Sequence, residues 1–256
     1  MFNMKYAFYT KKNNDKIHEM LDKIKSTLDK DFIEDIVNPE IVFTIGGDGT
    51  LLEAIHHYID KIDDIVFFPF MMGHIGFYID FFPEDIDKIN EIVKNKNIRK
   101  IPMLEALIKD ETYYAVNEFS LGQFAHASAY DIYVDDNLLE SYYGSGILFS
   151  TTYGSSAYNR SVGGPLVDID LNAFVMSKIA PITSRQYSSI AAPIVFSPNK
   201  IITLKYNNRR HQTLTMDNQI QKFDDLETVI IKLSKRTVSI YTREKFAHLQ
   251  RIRKAC

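Results

Sequence analysis

Cysteine is all but missing from this chain: of its 256 residues only Cys256 is one. That count excludes a disulfide within the chain, a cysteine-based zinc site and a buried catalytic thiol, and it suits a reducing compartment. Long apolar runs are missing too. The longest, residues 65–72, has eight residues with Pro69 among them, far below the roughly 20 that a membrane-crossing helix needs. Residues 1–12 have neither the apolar core nor the small-residue cleavage site of a secretory signal, so a cytoplasmic protein with no membrane partner is expected. Charge of one sign is not in excess: 30 Lys and Arg face 33 Asp and Glu, net −3, which gives no electrostatic case for a nucleic-acid partner. There are no internal repeats and no low-complexity tracts.

What remains is 45% hydrophobic and 25% charged, the balance of a soluble globular chain with one large domain or two smaller ones. Up to Lys100 there are 13 basic and 18 acidic residues, beyond it 17 and 15, and the pattern of elements changes at the same place. In the first part Ile17, Met20, Leu21, Ile24 and Leu28 recur at helical spacing between apolar runs at 6–9 and 41–45. A helix over about 49–58, a buried strand at 65–68 and a helix opened by Pro83 with Ile86, Ile89 and Val93 on one face continue the alternation, which predicts a helix-covered parallel sheet. Beyond Pro102, β-branched and aromatic runs at 113–116, 130–134, 201–206, 228–233 and 237–241 are separated by polar turns such as Asp110-Glu111 and Asp135-Asp136-Asn137. These predict mostly antiparallel strands. The expected fold class is α/β plus β: an α/β domain over residues 1–101, a β-rich domain over 102–242, and a basic tail over 243–256. The tail is read as a charged helix packing back on the first domain, or else as an amphipathic membrane or partner helix.

All eleven glycines lie between Gly46 and Gly164. Glycine is needed where φ is positive or where a ligand must approach the backbone, so the clustering points to loops that face something. The most informative cluster is a strand, Ile41-Val42-Phe43-Thr44-Ile45, running into Gly46-Gly47-Asp48-Gly49-Thr50 and then a helix. Such a loop exposes successive N–H groups beside a positive helix terminus and suits a phosphate chain. It is neither the GxGxxG of dinucleotide folds nor GxxxxGK[ST]. The bland alternative is a tight turn with Asp48 as the helix cap.

The loop resembles the hallmark of the NAD kinases, and three further segments match that family in order. Gly73-His74-Ile75-Gly76-Phe77-Tyr78 is similar to its Gly-His-Leu-Gly-Phe element. Asn117-Glu118 matches its Asn-Glu pair, and the stretch from Ser150 through Tyr153, Ser156, Ala157, Tyr158, Asn159, Arg160 and Ser161 to Gly163-Gly164-Pro165 matches its Gly/Ser/Thr-rich segment. The resemblance covers about residues 40–200 and implies a bacterial-type, somewhat divergent kinase. Such a kinase moves the γ-phosphoryl of ATP, with Mg²⁺, to the 2′-hydroxyl of the adenosine ribose of NAD.

Gly46, Gly47, Gly49 and Thr50 are then the phosphate loop and Asp48 the catalytic group. Asp48, Gly49, Phe77, Tyr78, Asn117, Glu118, Ser145, Ser156, Ala157, Tyr158, Asn159, Arg160, Ser161 and Ala180 are the NAD contacts implied by the resemblance. As the first acidic residue of a helix, Asp48 is expected to have a lowered pKa. Read from the residues alone, Asn117 turning the chain and Glu118 as a solvated strand end is an ordinary fate, ranked below binding on motif order, while Gly154-Ser155-Ser156 is equally a helix cap and Tyr158 a core residue. Departures from the family pattern fall at Tyr143 and Ser145, where relatives carry Arg-Gly-Asp-Gly, at Tyr153, where they favour proline, and at Asn218, often histidine. His56-His57 point about 100° apart on a helix and are read as surface or interface residues. No metal site is expected from the protein alone, and Mg²⁺ would arrive with ATP. The family implies a homodimer or homotetramer. The rival functions are a lipid kinase of the diacylglycerol or sphingoid type and a catalytically silent dinucleotide sensor.

Overall fold

In the computed structural model of the chain, residues 3–73, 76–123, 126–183, 189–207, 211–243 and 248–255 are described. His74 and Ile75 of the Gly-His-Ile-Gly-Phe element, residues 244–247 of the tail and Cys256 lie outside them. The chain forms two compact units, Met1–Ile101 with Arg236–Cys256, and Pro102–Lys235.

The first unit is α/β. Strand β1 (Met4–Thr10) leads into helix α1 (Asp15–Thr27), which Asn14 caps by accepting the Ile17 N–H at 3.1 Å. Ile17, Met20 and Ile24 form its buried stripe, at the spacing that puts them on one face. A short β2 (Phe32–Glu34) is followed by β3 (Ile41–Gly46), α2 (Asp48–His57) and β4 (Val66–Met71). A 3₁₀ turn at Pro83–Lys88 then enters α3 (Ile89–Asn95). Strands β2, β1, β3 and β4 pair in that order, all parallel. Residues 41–45 are buried without a break, as a strand covered on both faces requires.

The second unit is β-rich. It begins within β5 (Ile98–Ile108), which starts in the first unit, and continues with β6 (Glu111–Ala115), β7 (Glu118–Gly122), β8 (Ser128–Val134) and β9 (Asn137–Thr151). After a one-turn helix α4 (Tyr158–Ser161) come β10 (Phe174–Pro181), β11 (Ile194–Phe196), β12 (Ile202–Tyr206), β13 (Gln212–Met216), β14 (Gln219–Phe223) and β15 (Thr228–Tyr241). The pairings β14–β13–β7–β9, β9–β8–β12–β15 and β5–β6 are antiparallel, and β10 pairs antiparallel with the second half of β9 and with β11. The β8–β9 turn is Asp135-Asp136, both at positive φ, the two-residue hairpin geometry that Asp tolerates.

Two expectations need correction. The runs at 228–233 and 237–241 are one strand, β15. Its first part pairs with β12 and its end, Ser239 and Ile240, pairs in parallel with β4. Its polar middle, Ser234-Lys235-Arg236, is a stretch of strand and not a turn. The β5–β6 turn is Lys109-Asp110, one residue earlier than expected, with Lys109 at φ 55°. The C-terminal helix, α5 (His248–Ala255), belongs to the first unit and buries His248 and Arg251. Among the described residues no helix is long and apolar enough to cross a membrane.

Candidate functional site

The Gly46-Gly47-Asp48-Gly49-Thr50 loop sits at the C-terminal end of β3, where parallel sheets generally present ligand sites. Thr50 is packed so tightly under Gly46 that a Cβ at Gly46 would overlap its side chain. Gly47, not Asp48, is the N-cap of α2, and no side chain caps that helix. The carboxylate of Asp48 turns elsewhere: Oδ2 accepts the Phe77 N–H at 2.6 Å and Oδ1 accepts the Tyr78 N–H at 3.2 Å. A Cβ at Gly76 would overlap Asp48 Oδ1, so glycine is required where the two segments meet. Tyr78 is buried and Phe77 half-buried.

Burial raises the pKa of Asp48 above the usual carboxylate value, against the two amides and the Arg251 guanidinium, which lower it. This corrects the expectation of a lowered value: a helix terminus is a weak influence beside removal of the carboxylate from water. A cavity of about 360 Å³ adjoins the loop, lined by Lys11, Lys12, Lys16, Gly47, Thr50 and Gly73 among others. These three lysines carry no motif and were not among the expected site residues. Lys11 is ion-paired with Glu53, and its ammonium lies 3.8 Å from where a Gly49 Cβ would be.

In the second unit Asn117-Glu118 opens β7. Asp217, in the β13–β14 turn at φ 50°, grips this segment. Its Oδ1 accepts the N–H groups of Asn117 at 2.7 Å and Glu118 at 3.2 Å, and its Oδ2 that of Val116 at 2.9 Å. Thr151 closes the other side, donating from Oγ1 to the Val116 carbonyl at 2.7 Å and from its N–H to the Asn117 carbonyl at 2.9 Å. Gly154 is so close that a Cβ there would overlap the Asn117 carbonyl. The Glu118 carboxyl is pushed up to about 8 by burial first and by the Asp217 charge second, while the Tyr158 N–H opposes the shift. Its Oε2 is buried and finds no hydrogen-bond partner among the described residues.

The Gly/Ser/Thr-rich segment divides into inward and outward members. Tyr153 is buried, and Ser156, also buried, donates to the Tyr153 carbonyl at 3.2 Å. Asn159 is fully buried: it donates to the Pro165 carbonyl at 3.0 Å and accepts the Ser177 hydroxyl at 2.7 Å. Its carboxamide therefore makes these hydrogen bonds within the unit. Ala157 is half-buried, whereas Tyr158, Arg160 and Ser161 are exposed. Tyr158 and Ser145 share a cavity of about 180 Å³ with Gly122, Ile179, Thr213 and Thr215. Ala180 is exposed at φ 47°, a left-handed backbone that a non-glycine residue adopts only under local constraint. Next door, the Tyr142 hydroxyl lies 2.8 Å from the Ile179 carbonyl and 2.7 Å from that of Gly146.

Residues 110–242 match the ATP-NAD kinase C-terminal domain family. The NAD kinase of Lactobacillus helveticus is 34% identical over 92% of this chain and 89% of its own length. The chain belongs to the NAD kinase family. NAD kinase 1 of Listeria monocytogenes is 29% identical over 97% of both chains. Among solved structures, an NAD kinase from Archaeoglobus fulgidus in complex with ATP superposes with a TM-score of 0.80 at 20% identity, covering 99% of this chain and 100% of the other. Yeast NADH kinase complexed with NADH does so with 0.82 at 18%, covering 98% and 86%. These two likenesses show the fold, α/β followed by a β-rich domain.

Within an NAD kinase fold, Tyr143 is half-buried, Ser145 lines the Tyr158 cavity and Asn218 is exposed beside Asp217. His57 packs against the rings of Tyr9 and Tyr58, with centroids 5.6 and 4.7 Å away. Besides the three lysines, Asp217 and Arg251 carry no sequence signal: Asp217 belongs to none of the motifs, and Arg251 is one charge of the basic tail.

Proposed function

We propose that this chain transfers the γ-phosphoryl of ATP to the 2′-hydroxyl of the adenosine ribose of NAD, giving NADP. The observation that carries the proposal is the Asp48 carboxylate, fixed at both oxygens by peptide N–H groups beside a glycine loop and a lysine-lined cavity. Phosphoryl transfer asks mainly for positioning and charge stabilisation. The glycine loop of the first unit and its lysines suit the phosphates. Asp48 keeps lone pairs to accept the attacking hydroxyl, and its raised pKa makes it a better proton acceptor than an exposed aspartate.

In the same reading the second unit recognises the dinucleotide through Asn117, Glu118, Tyr158 and Ser145. The Glu118 Oε2 supports this assignment, since a buried oxygen with no partner among the described residues suits a ligand donor such as a ribose hydroxyl. Mg²⁺ enters with ATP, on phosphate oxygens and water. Among the described residues no group of three His, Cys, Asp or Glu side chains is placed to hold a metal ion. A cytoplasmic homodimer or homotetramer belongs to this reading, and light scattering measures that part of it.

The test is NADP formation from NAD, ATP and Mg²⁺, read by an NADP-specific dehydrogenase, alongside ATP turnover. NADP that requires both substrates supports the kinase. ATP turnover that survives removal of NAD points to a lipid kinase, and dinucleotide binding without NADP to the silent sensor suggested by Tyr143 and Ser145.

A further inference from the structure

The guanidinium of Arg251, on α5, is buried and bridges two acceptors. Nη1 donates to the Gly76 carbonyl at 3.1 Å, and Nη2 donates to Asp80 Oδ1. Gly76 C=O and Phe77 N–H belong to one peptide group, and that N–H is the 2.6 Å donor to Asp48 Oδ2. One planar unit thus has the arginine on its oxygen and Asp48 on its hydrogen. A cation at a peptide carbonyl polarises the group and strengthens donation from its N–H. Asp80, the other end of the bridge, is itself locked: its Oδ2 accepts the Thr242 hydroxyl at 2.5 Å and the Arg243 N–H at 3.0 Å. His248, one turn earlier on α5, packs its ring 5.9 Å from that of Phe77.

We infer that Arg251 is a positioning residue for phosphoryl transfer: from the C-terminal helix it orients the Gly76–Phe77 peptide, and through that peptide the Asp48 carboxylate. The inference rests on the reading of Asp48 as the group that receives the attacking hydroxyl. It gives α5 a function beyond packing, since the helix sets the orientation of a group that is remote in sequence. Lysine does not replace the arginine here, because an ammonium is a point charge and does not span the Gly76 carbonyl and Asp80 together. The titratable and charged groups around Asp48 and this bridge are Arg251, Asp80, Arg243 with its partner Asp85, His248, and Lys11 with Glu53. Of these, Arg251 touches the peptide that holds Asp48.

The experiment compares wild type, Arg251→Lys and Arg251→Met, with folding checked by circular dichroism. It measures kcat, the KM values for NAD and ATP, and the titration of the Asp48 carboxyl by ¹³C NMR, assigned with Asp48→Asn. Loss of orientation lowers kcat by about tenfold to a hundredfold while both KM values stay within about twofold. Loss of a nearby cation moves the Asp48 titration, and the acidic limb of the kcat profile, to higher pH. If the methionine variant does not fold, the lysine variant carries the test. A folded variant with unchanged kcat and unchanged Asp48 titration overturns the inference. A wild type that makes no NADP overturns the proposed function instead, and the Asp48 titration, which needs no turnover, still decides whether Arg251 acts on Asp48.

Discussion

Asp217 Oδ1 accepts the N–H of Asn117 at 2.7 Å across a hundred residues of chain. The same carboxylate takes the N–H groups of Val116 and Glu118, so one side chain in the β13–β14 turn orders the whole Asn-Glu segment. Asp217→Ala strands three donors, and a charge-assisted set of this kind is worth about 2–3 kcal/mol in total after water replaces part of it. Denaturant unfolding is expected to show a loss of that size. Steady-state kinetics should show the KM for NAD rising more than kcat falls. An unchanged KM in a destabilised variant would confine Asp217 to structure.

Gly76 is closed to any side chain by Asp48 Oδ1. Gly76→Ala is expected to push the carboxylate aside or break its bond to Phe77. The predicted signature is a kcat lowered by about tenfold or more with dinucleotide binding retained, measured by kinetics and by calorimetric titration. Near wild-type kcat would mean that the position of Asp48 is not critical.

Glu118 makes stability depend on pH. Its carboxyl titrates at about 8 in the folded chain against an ordinary value of 4.5, so the folded state keeps a proton that the unfolded chain releases. The stabilisation this gives is complete below the unfolded value and is lost as pH rises through about 8. Glu118→Gln carries the uncharged form at every pH. Its melting temperature should therefore gain on that of wild type as pH is raised from about 5 to about 9. A difference independent of pH would show that Glu118 is ionised throughout.

How far the sequence reads ahead of the structure depends on how local the signal is. The unit from β3 through Asp48 to α2 is legible because a continuously buried strand, a glycine loop and a helix follow one another without a gap. The Asp135-Asp136 turn was legible for the same reason. Strand β15 reads as two in the sequence, since Ser234-Lys235-Arg236 looks like a polar break. Its partners β12 and β4, which make it continuous, are remote in sequence. Asp217 and Arg251 were illegible because each acts on backbone groups a hundred or more residues away, which no local pattern records. The direction of the Asp48 shift was missed because burial, the dominant cause, is a property of the fold and not of the loop. Asn159 sits inside a matching motif and is buried with hydrogen bonds to Ser177 and Pro165, an interior role that its place in the motif does not announce.

The most direct measurement is NADP formation by wild type and Asp48→Asn, with dinucleotide binding followed in the same preparations. The asparagine keeps the shape of the side chain but does not take up a proton from the hydroxyl. NADP formation is expected to fall by orders of magnitude, beyond about a hundredfold, while binding of NAD persists. Undiminished NADP formation by Asp48→Asn would contradict the account at its centre.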